Sequence, residues 1–252
     1  MGIQKGPIRI KSGSFGDMTF AETKDGFIVR QRTNMNGEVM RNDPRFVKVL
    51  LHAAEFGKAG KAGTLIRTAM KDVLRTTRKY RVSSKMQTEL MKAVKADGTS
   101  AFGQRNVVDG NLKLIEGFNF GSEASIENLL YTEYETDIDR AAGTVKVTIA
   151  PFVPNLKLEV PEGATHFQLR AGTAVVDFLN GTSISKSAWT AMLPLDDDPT
   201  AAISLDTTIP VGTTQPVLVS LGIAFYEHIN GVDYATGGGR FDAVKLVKVD
   251  VV

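Results

Sequence analysis

The sequence predicts an α+β protein in which an N-terminal β-ribbon and helices precede an antiparallel immunoglobulin-like β-sandwich. Three observations predict it. Apolar residues recur at helical spacing between Phe46 and Val94, and alternation at period two takes over after Gly121. Gly, Pro, Asn and Asp turn signals then cut the second half into short runs, the pattern of a sandwich. Charge changes at the same place: residues 1–115 hold 22 Lys and Arg against 10 Asp and Glu, a net +12, while residues 116–252 hold 8 against 18, a net −10. The boundary is accordingly set between a basic ribbon and helical region, 1–118, and an acidic sandwich, 119–252.

From Pro7 to Arg32, Ile8 and Ile10 alternate with basic residues, Met18 and Phe20 precede a turn at Asp25-Gly26, and Phe27-Ile28-Val29 follows. This is a ribbon of two or three strands, too small to stand alone. Polar residues 33–42, with Asn36-Gly37, form a connector. Asp43-Pro44 starts a helix, with Asp as cap and Pro at the first helical position, where its missing N–H costs nothing. Phe46, Val47, Leu50, Leu51 and Ala54 carry the apolar face. Gly57, Gly60 and Gly63 interrupt the helix or let a neighbouring backbone approach; Leu65, Ile66, Ala69, Met70, Val73 and Leu74 resume the face toward Tyr80. Ser83 or Ser84 caps a second helix with Met86, Leu90, Met91 and Val94, ending at Asp97-Gly98. Residues 111–118 fit a short helix or a strand equally. Strands are then expected over 130–139, 143–152, 156–160, 166–170, 174–179, 188–193, 201–205, 216–227 and 241–251. Turns at Pro161-Glu162-Gly163, Asn180-Gly181, residues 196–199 and Asn230-Gly231 separate them.

Several chemistries are not expected. At 252 residues and 42% hydrophobic the chain can fill a real core, and the absence of Cys removes disulfides, zinc-thiolate sites, iron–sulfur clusters and thiol catalysis. The start lacks a signal-peptide pattern and the longest apolar runs, such as 217–225, fall far short of a membrane span of ~20 residues, so a soluble protein made in the cytoplasm, with no membrane partner, is expected. Met1-Gly2 lacks the Ser or Thr at position 6 that myristoylation wants, since Gly6 stands there. His52, His166 and His228 are scattered, so no metal site is expected. Asp196-Asp197-Asp198 reads as an acidic turn without calcium-loop spacing. In residues 57–64, Gly60-Lys61 is followed by Ala62, which breaks the Walker pattern; helix packing by small residues, with solvated lysines, is the better reading. No Ser sits in a Gly-x-Ser-x-Gly elbow. No catalytic residue, cofactor or small-molecule substrate is assigned.

Two charged stretches carry the functional expectation. Arg67, Lys71, Arg75, Arg78 and Lys79 would form one stripe on a continuous helix, extended by Arg81 and Lys85. Glu133, Glu135, Asp137 and Asp139 alternate, so on a strand they share one face, opposite Tyr134, Thr136 and Ile138. Four like charges on one face repel unless a positive partner is near. The pair of surfaces predicts a non-enzymatic structural or interaction protein that assembles with other copies of itself into a filament, a ring or part of a larger particle. The N-terminal ribbon and the C-terminal strand with Val247, Val249 and Val251 are candidate pairing edges. The alternative is nucleic-acid binding by the 67–85 surface through phosphate contacts. Either partner's charge would leave a solvated face in its absence.

Gly16-Asp17-Met18-Thr19-Phe20, Asp43-Pro44-Arg45-Phe46, the run from Phe56-Gly57-Lys58 to Gly60-Lys61-Ala62-Gly63, Gly103-Gln104-Arg105-Asn106 and Pro161-Glu162-Gly163-Ala164-Thr165-His166-Phe167 occur along the chain. In these segments the sequence resembles a group of uncharacterised soluble proteins of Bacteroidota-type bacteria, over most of its length. That resemblance implies a recurrent architecture and no catalytic residues to carry over.

Overall fold

Strand pairing organises the computed structural model, which describes residues 2–24, 26–32, 37–78, 81–121 and 124–252, into three antiparallel sheets with helices, an α+β chain. Two compact units part at Leu50/Leu51.

In the first unit, β1 (Gly2–Ile3), β2 (Ser12–Phe15), β3 (Met18–Thr23) and β4 (Gly26–Gln31) form a sheet in the order β1-β4-β3-β2, one or two strands more than the ribbon expected. Asp25 of the expected turn and residues 33–36 of the connector lie outside the described residues. A short helix, α1 (Gly37–Asn42), follows. Asp43 then caps a 3-10 turn, Pro44–Phe46, its Oδ1 accepting from the Arg45 N–H at 2.9 Å, so the Asp-Pro start operates as expected.

The second unit takes most of α2 (Val47–Ala69) and all of α3 (Val82–Lys95), α4 (Ile126–Leu129) and α5 (Pro154–Lys157). Its strands are β5 (Tyr134–Asp139), β6 (Thr144–Ile149), β7 (His166–Asp177), β8 (Thr182–Trp189), β9 (Leu193–Pro194), β10 (Ile203–Thr208), β11 (Val217–Ile229), β12 (Val232–Ala235) and β13 (Ala243–Asp250). β10-β6-β5 make a three-stranded sheet. The larger sheet runs β12-β11-β7-β8, with β13 also on β11 and β9 also on β7.

Alternation along β7 and β11 builds three layers. Ala174 and Val176 of β7 and Leu218 of β11 share a core with Ile66, Met70, Val73, Met86 and Leu90 of the helical segment. Phe167, Leu169, Ala171 and Val175, with Val217, Val219, Leu221, Ile223 and Phe225, pack instead with Val145, Val147 and Ile149 of β6 and Leu205 of β10. Helices, large sheet and small sheet are thus stacked in that order. The compact units therefore do not part at 118/119: the expected helical region shares a core with β7, β11 and β13.

The same double burial merges two expected strands. Residues 166–170 and 174–177 belong to one 12-residue strand whose middle is buried on both faces and so shows no polar alternation, while 178 and 179 of the second expected strand lie in the turn that follows. Conversely, β8 is so rich in Ser and Thr that no apolar run announces it. The strand expected over 156–160 is instead the helical turn α5 followed by one bridge, Leu158 to Leu130. Asn230-Gly231 makes the anticipated turn, with positive φ at both residues (52° and 81°) as a type I′ turn requires, and it joins β11 to β12, a short strand beyond those expected.

Gly57, Gly60 and Gly63 leave α2 continuous, and the last two admit α3: a Cβ on Gly63 would stand 3.2 Å from Leu90 Cδ1, and one on Gly60 3.1 Å from Gln87 Nε2. The C-terminal strand is not an open edge. β13 pairs β11 on one side, and on the other the Gly117 and Phe120 N–H groups donate to Leu246 O and Val244 O at 2.8 Å, while the Leu246 N–H donates to Phe118 O. Residues 112–115, left open between helix and strand, form a 3-10 turn. Among the described residues no helix is long and apolar enough to cross a membrane.

Gly172 lies where helix and sheet come closest: a Cβ there would sit 2.6 Å from Val73 Cγ2 and 2.8 Å from Ser220 Oγ. Gly172→Ala is expected to cost about 1–3 kcal/mol by overpacking, read as a lower urea midpoint at unchanged slope.

Candidate functional site: two charged surfaces

β5 is an edge strand of the small sheet, and its residues alternate as anticipated. Tyr134, Thr136 and Ile138 are half-buried, whereas Glu135, Asp137 and Asp139 are exposed, with Glu133 exposed just ahead of the strand. The register puts Asp137 opposite Lys146 of β6, and Lys146 opposite Asp206 of β10. One lysine is therefore flanked by two carboxylates, and the outer face keeps an excess of negative charge. Asp139 also closes the β5–β6 turn, its Oδ1 accepting from the Ala142 N–H at 2.8 Å. Glu133 and Glu135 border a shallow cleft of about 380 Å³ with Thr148 and Ser204.

The basic residues do not form the expected helical stripe. α2 stops at Ala69, and residues 70–78 run through turns. The cause is tertiary: Met70, Val73 and Leu74 are buried in the helix–sheet core, Thr76 Oγ1 accepts from Arg170 Nη1 at 2.6 Å, and the Arg78 N–H donates to Gly239 O. Gly239 approaches so closely that a Cβ would fall 1.9 Å from Thr76 O. Arg67 stays on α2, half-buried, donating from Nε to Gly63 O and from Nη2 to Thr64 Oγ1, both at 3.1 Å. Lys71, Arg75 and Arg78 are exposed on the turns, Arg81 enters α3 with φ of 55°, and Lys85 is exposed on α3. Lys79 lies outside the described residues. Arg67, Lys71 and Arg81 meet around a groove of about 420 Å³ with Thr64, Thr68 and Ser83. Lys85 borders a different cavity, beside Glu89 and Glu116.

The two surfaces occupy opposite outer layers of the second unit. The basic turns cover the helical face of the large sheet, and the acidic residues point away from the core on the small sheet's outer face.

Pairing also creates one neighbourhood that sequence spacing hid. His166 of β7 and His228 of β11 lie with ring centroids 5.3 Å apart; His228 Nδ1 is 2.6 Å from Asp233 Oδ1, and His166 Nδ1 is 2.9 Å from Thr165 Oγ1. His52 stands edge-on to Phe102. Among the described residues no group of three or more His, Asp or Glu is disposed to hold a metal ion. The acidic turn at 196–198 is closed by the Asp198 N–H donating to Asp196 Oδ1 and by Asn155 donating to Asp197. Lys58, expected to be solvated, donates to Gln104 O, while Lys61 is exposed.

Two buried polar clusters are structural ties. Arg170 donates to Gln168, Thr76 and the Tyr226 hydroxyl, beside Asp242, whose carboxyl is pushed up by burial and accepts from the Phe225 N–H. Glu55, fully buried on α2, takes Arg105 in a two-pronged pair (Nε–Oε1 2.7 Å, Nη2–Oε2 2.8 Å) and the Gly103 N–H at 2.8 Å.

Comparison with known proteins finds no matching family, no similar curated protein and no similar solved structure.

The hydrogen bonds from Arg105, opposed by burial, hold the Glu55 carboxyl below its ordinary range. Its stabilising contribution is therefore complete above the unfolded-state value of about 4.3 and fades as pH falls through the lowered folded value. Glu55→Gln should lower the denaturation midpoint at pH 7, and the gap from the wild type should close on acidification below about pH 4; a gap independent of pH would contradict this origin.

Proposed function

We propose that this protein is a non-enzymatic structural component that assembles head to tail through its basic and acidic surfaces. The observation that carries the reading is their separation. With the large sheet between them, Arg67, Lys71, Arg75, Arg78, Arg81 and Lys85 are directed to one outer layer and Glu133, Glu135, Asp137 and Asp139 to the other. Charges kept apart within a chain find their complement on a neighbour, and such a heterologous contact propagates into a ring or a filament. Electrostatics steers and orients the contact more than it holds it. The position of the acidic residues on an edge strand adds backbone groups that a neighbour can pair. The finer fold assignment belongs to the same proposal: an immunoglobulin-like sandwich, supported by two antiparallel sheets around a common core, with a helical layer added to one of them. A second reading, phosphate contact with nucleic acid, is favoured by the groove that Arg67, Lys71 and Arg81 share.

Charge reversal separates these readings. Lys71→Glu with Arg75→Glu, and Glu133→Lys with Glu135→Lys, alter exposed side chains and should each shift stability by no more than about 0.5 kcal/mol per site. In sedimentation at low salt the wild type should form extended species that dissolve as salt rises, and each variant alone should stay monomeric. Mixed, the two should recover extended species, because each native face meets its native complement and the two reversed faces are complementary to each other. A wild type that remains monomeric at low salt and high concentration defeats assembly, and a steep salt slope in DNA binding, lost in the basic-surface variant, selects the second reading.

A further inference from the structure

The first unit is a sheet without a core. Among its described residues none is buried, although the four strands carry many apolar side chains. The register gathers most of them on one face: Phe15 lies opposite Met18, Phe20 opposite Val29, and Phe27 opposite Glu22. Three phenyl rings thus come from three successive strands, β2, β3 and β4. Phe15 is 78% exposed and Met18 50%, and Phe20, Phe27 and Val29 are half-buried.

Cations border this face. The Arg9 guanidinium sits 5.6 Å from the centre of the Phe27 ring, and Lys11 Nζ, 3.7 Å from Glu22 Oε2, offsets the one carboxylate that shares the face, so that Arg9 leaves its border net positive. Residues 1–50 hold 9 Lys and Arg against 5 Asp and Glu, a net +4. An occupant must therefore offer flat apolar surfaces that alternate with negative charge. A second copy of the same face would bring equal positive charge and is disfavoured. A single-stranded nucleic acid meets both demands, because its bases stack on aromatic rings and its phosphates pair with Lys and Arg.

We propose that the face formed by Phe15, Met18, Phe20, Phe27 and Val29, bordered by Arg9 and Lys11, binds single-stranded nucleic acid by base stacking. This site is distinct from the 67–85 surface and does not depend on the assembly reading. A duplex keeps its bases stacked on each other and offers this face only its backbone, so it binds more weakly.

The test uses the full chain and a fluorescein-labelled oligothymidylate of about 20 nucleotides, longer than the ~4–16 nucleotides such surfaces cover. Anisotropy at about 0.1 M salt should show binding at least roughly tenfold tighter than to a duplex of equal length. Phe15→Ala, at an exposed position that leaves the fold intact, should weaken binding by roughly 5- to 150-fold. Phe15→Trp should retain it, and the new indole emission should be quenched when the strand binds. Lys71→Glu with Arg75→Glu should leave the affinity unchanged. The proposal is overturned if the oligonucleotide does not bind, if Phe15→Ala binds as the wild type does, or if only the Lys71 and Arg75 substitutions remove binding. Self-association that Phe15→Ala abolishes, without oligonucleotide binding, would assign the face to a second copy.

Discussion

Burial of β7 and β11 on both faces is the constraint from which the rest of the second unit follows. A strand with solvent on one side can alternate polar and apolar residues; one enclosed on both must satisfy two cores at once. β7 does so with small residues toward the helices, Gly172, Ala174 and Val176, and larger ones toward the small sheet, Phe167 and Leu169. The helices can lie close because that side is shallow. Ser220, also on the helical side, donates to Gly172 O, so its own buried hydroxyl is paired.

Enclosure also explains the course of the chain between α2 and α3. Arg170 is buried, and its guanidinium has to be matched by groups that reach it; Thr76 and Tyr226 do so. Meeting that need pulls residues 70–78 out of helical geometry and turns Lys71, Arg75 and Arg78 outward. A polar requirement of the interior thus shapes the basic exterior. The acidic side arises more simply, from period-two alternation on a strand whose inner residues face the second core.

Much of this was legible in the sequence. The Asp43-Pro44 start, the Asn230-Gly231 turn and the alternating acidic strand depend on local chemistry, and local chemistry is written in short windows. The packing role of Gly60 and Gly63 was visible because small residues at helical spacing have few other uses. What escaped was set by distant partners. Helical periodicity continues through Met70, Val73 and Leu74, so the end of α2 at Ala69 shows only when Arg170 and Gly239 are seen to hold the turns. His166 and His228 become neighbours only through the pairing of β7 with β11. The change of composition near residue 118 marks a change of secondary structure, and the interior runs across it.

Residues 117–120 lie along the outer side of β13, between the helical segment and the strands that follow in sequence. The middle of the chain is thereby locked to its end. The last strand cannot close its outer side until residues more than a hundred positions earlier are in place, and Met70 meets Ser220 across a comparable interval. Contacts of such long sequence separation make loop closure the slow part of folding. During synthesis the helices therefore emerge with an apolar face that has nothing to cover it until β7, β11 and β13 arrive, and closure of this core is deferred until β13 is available.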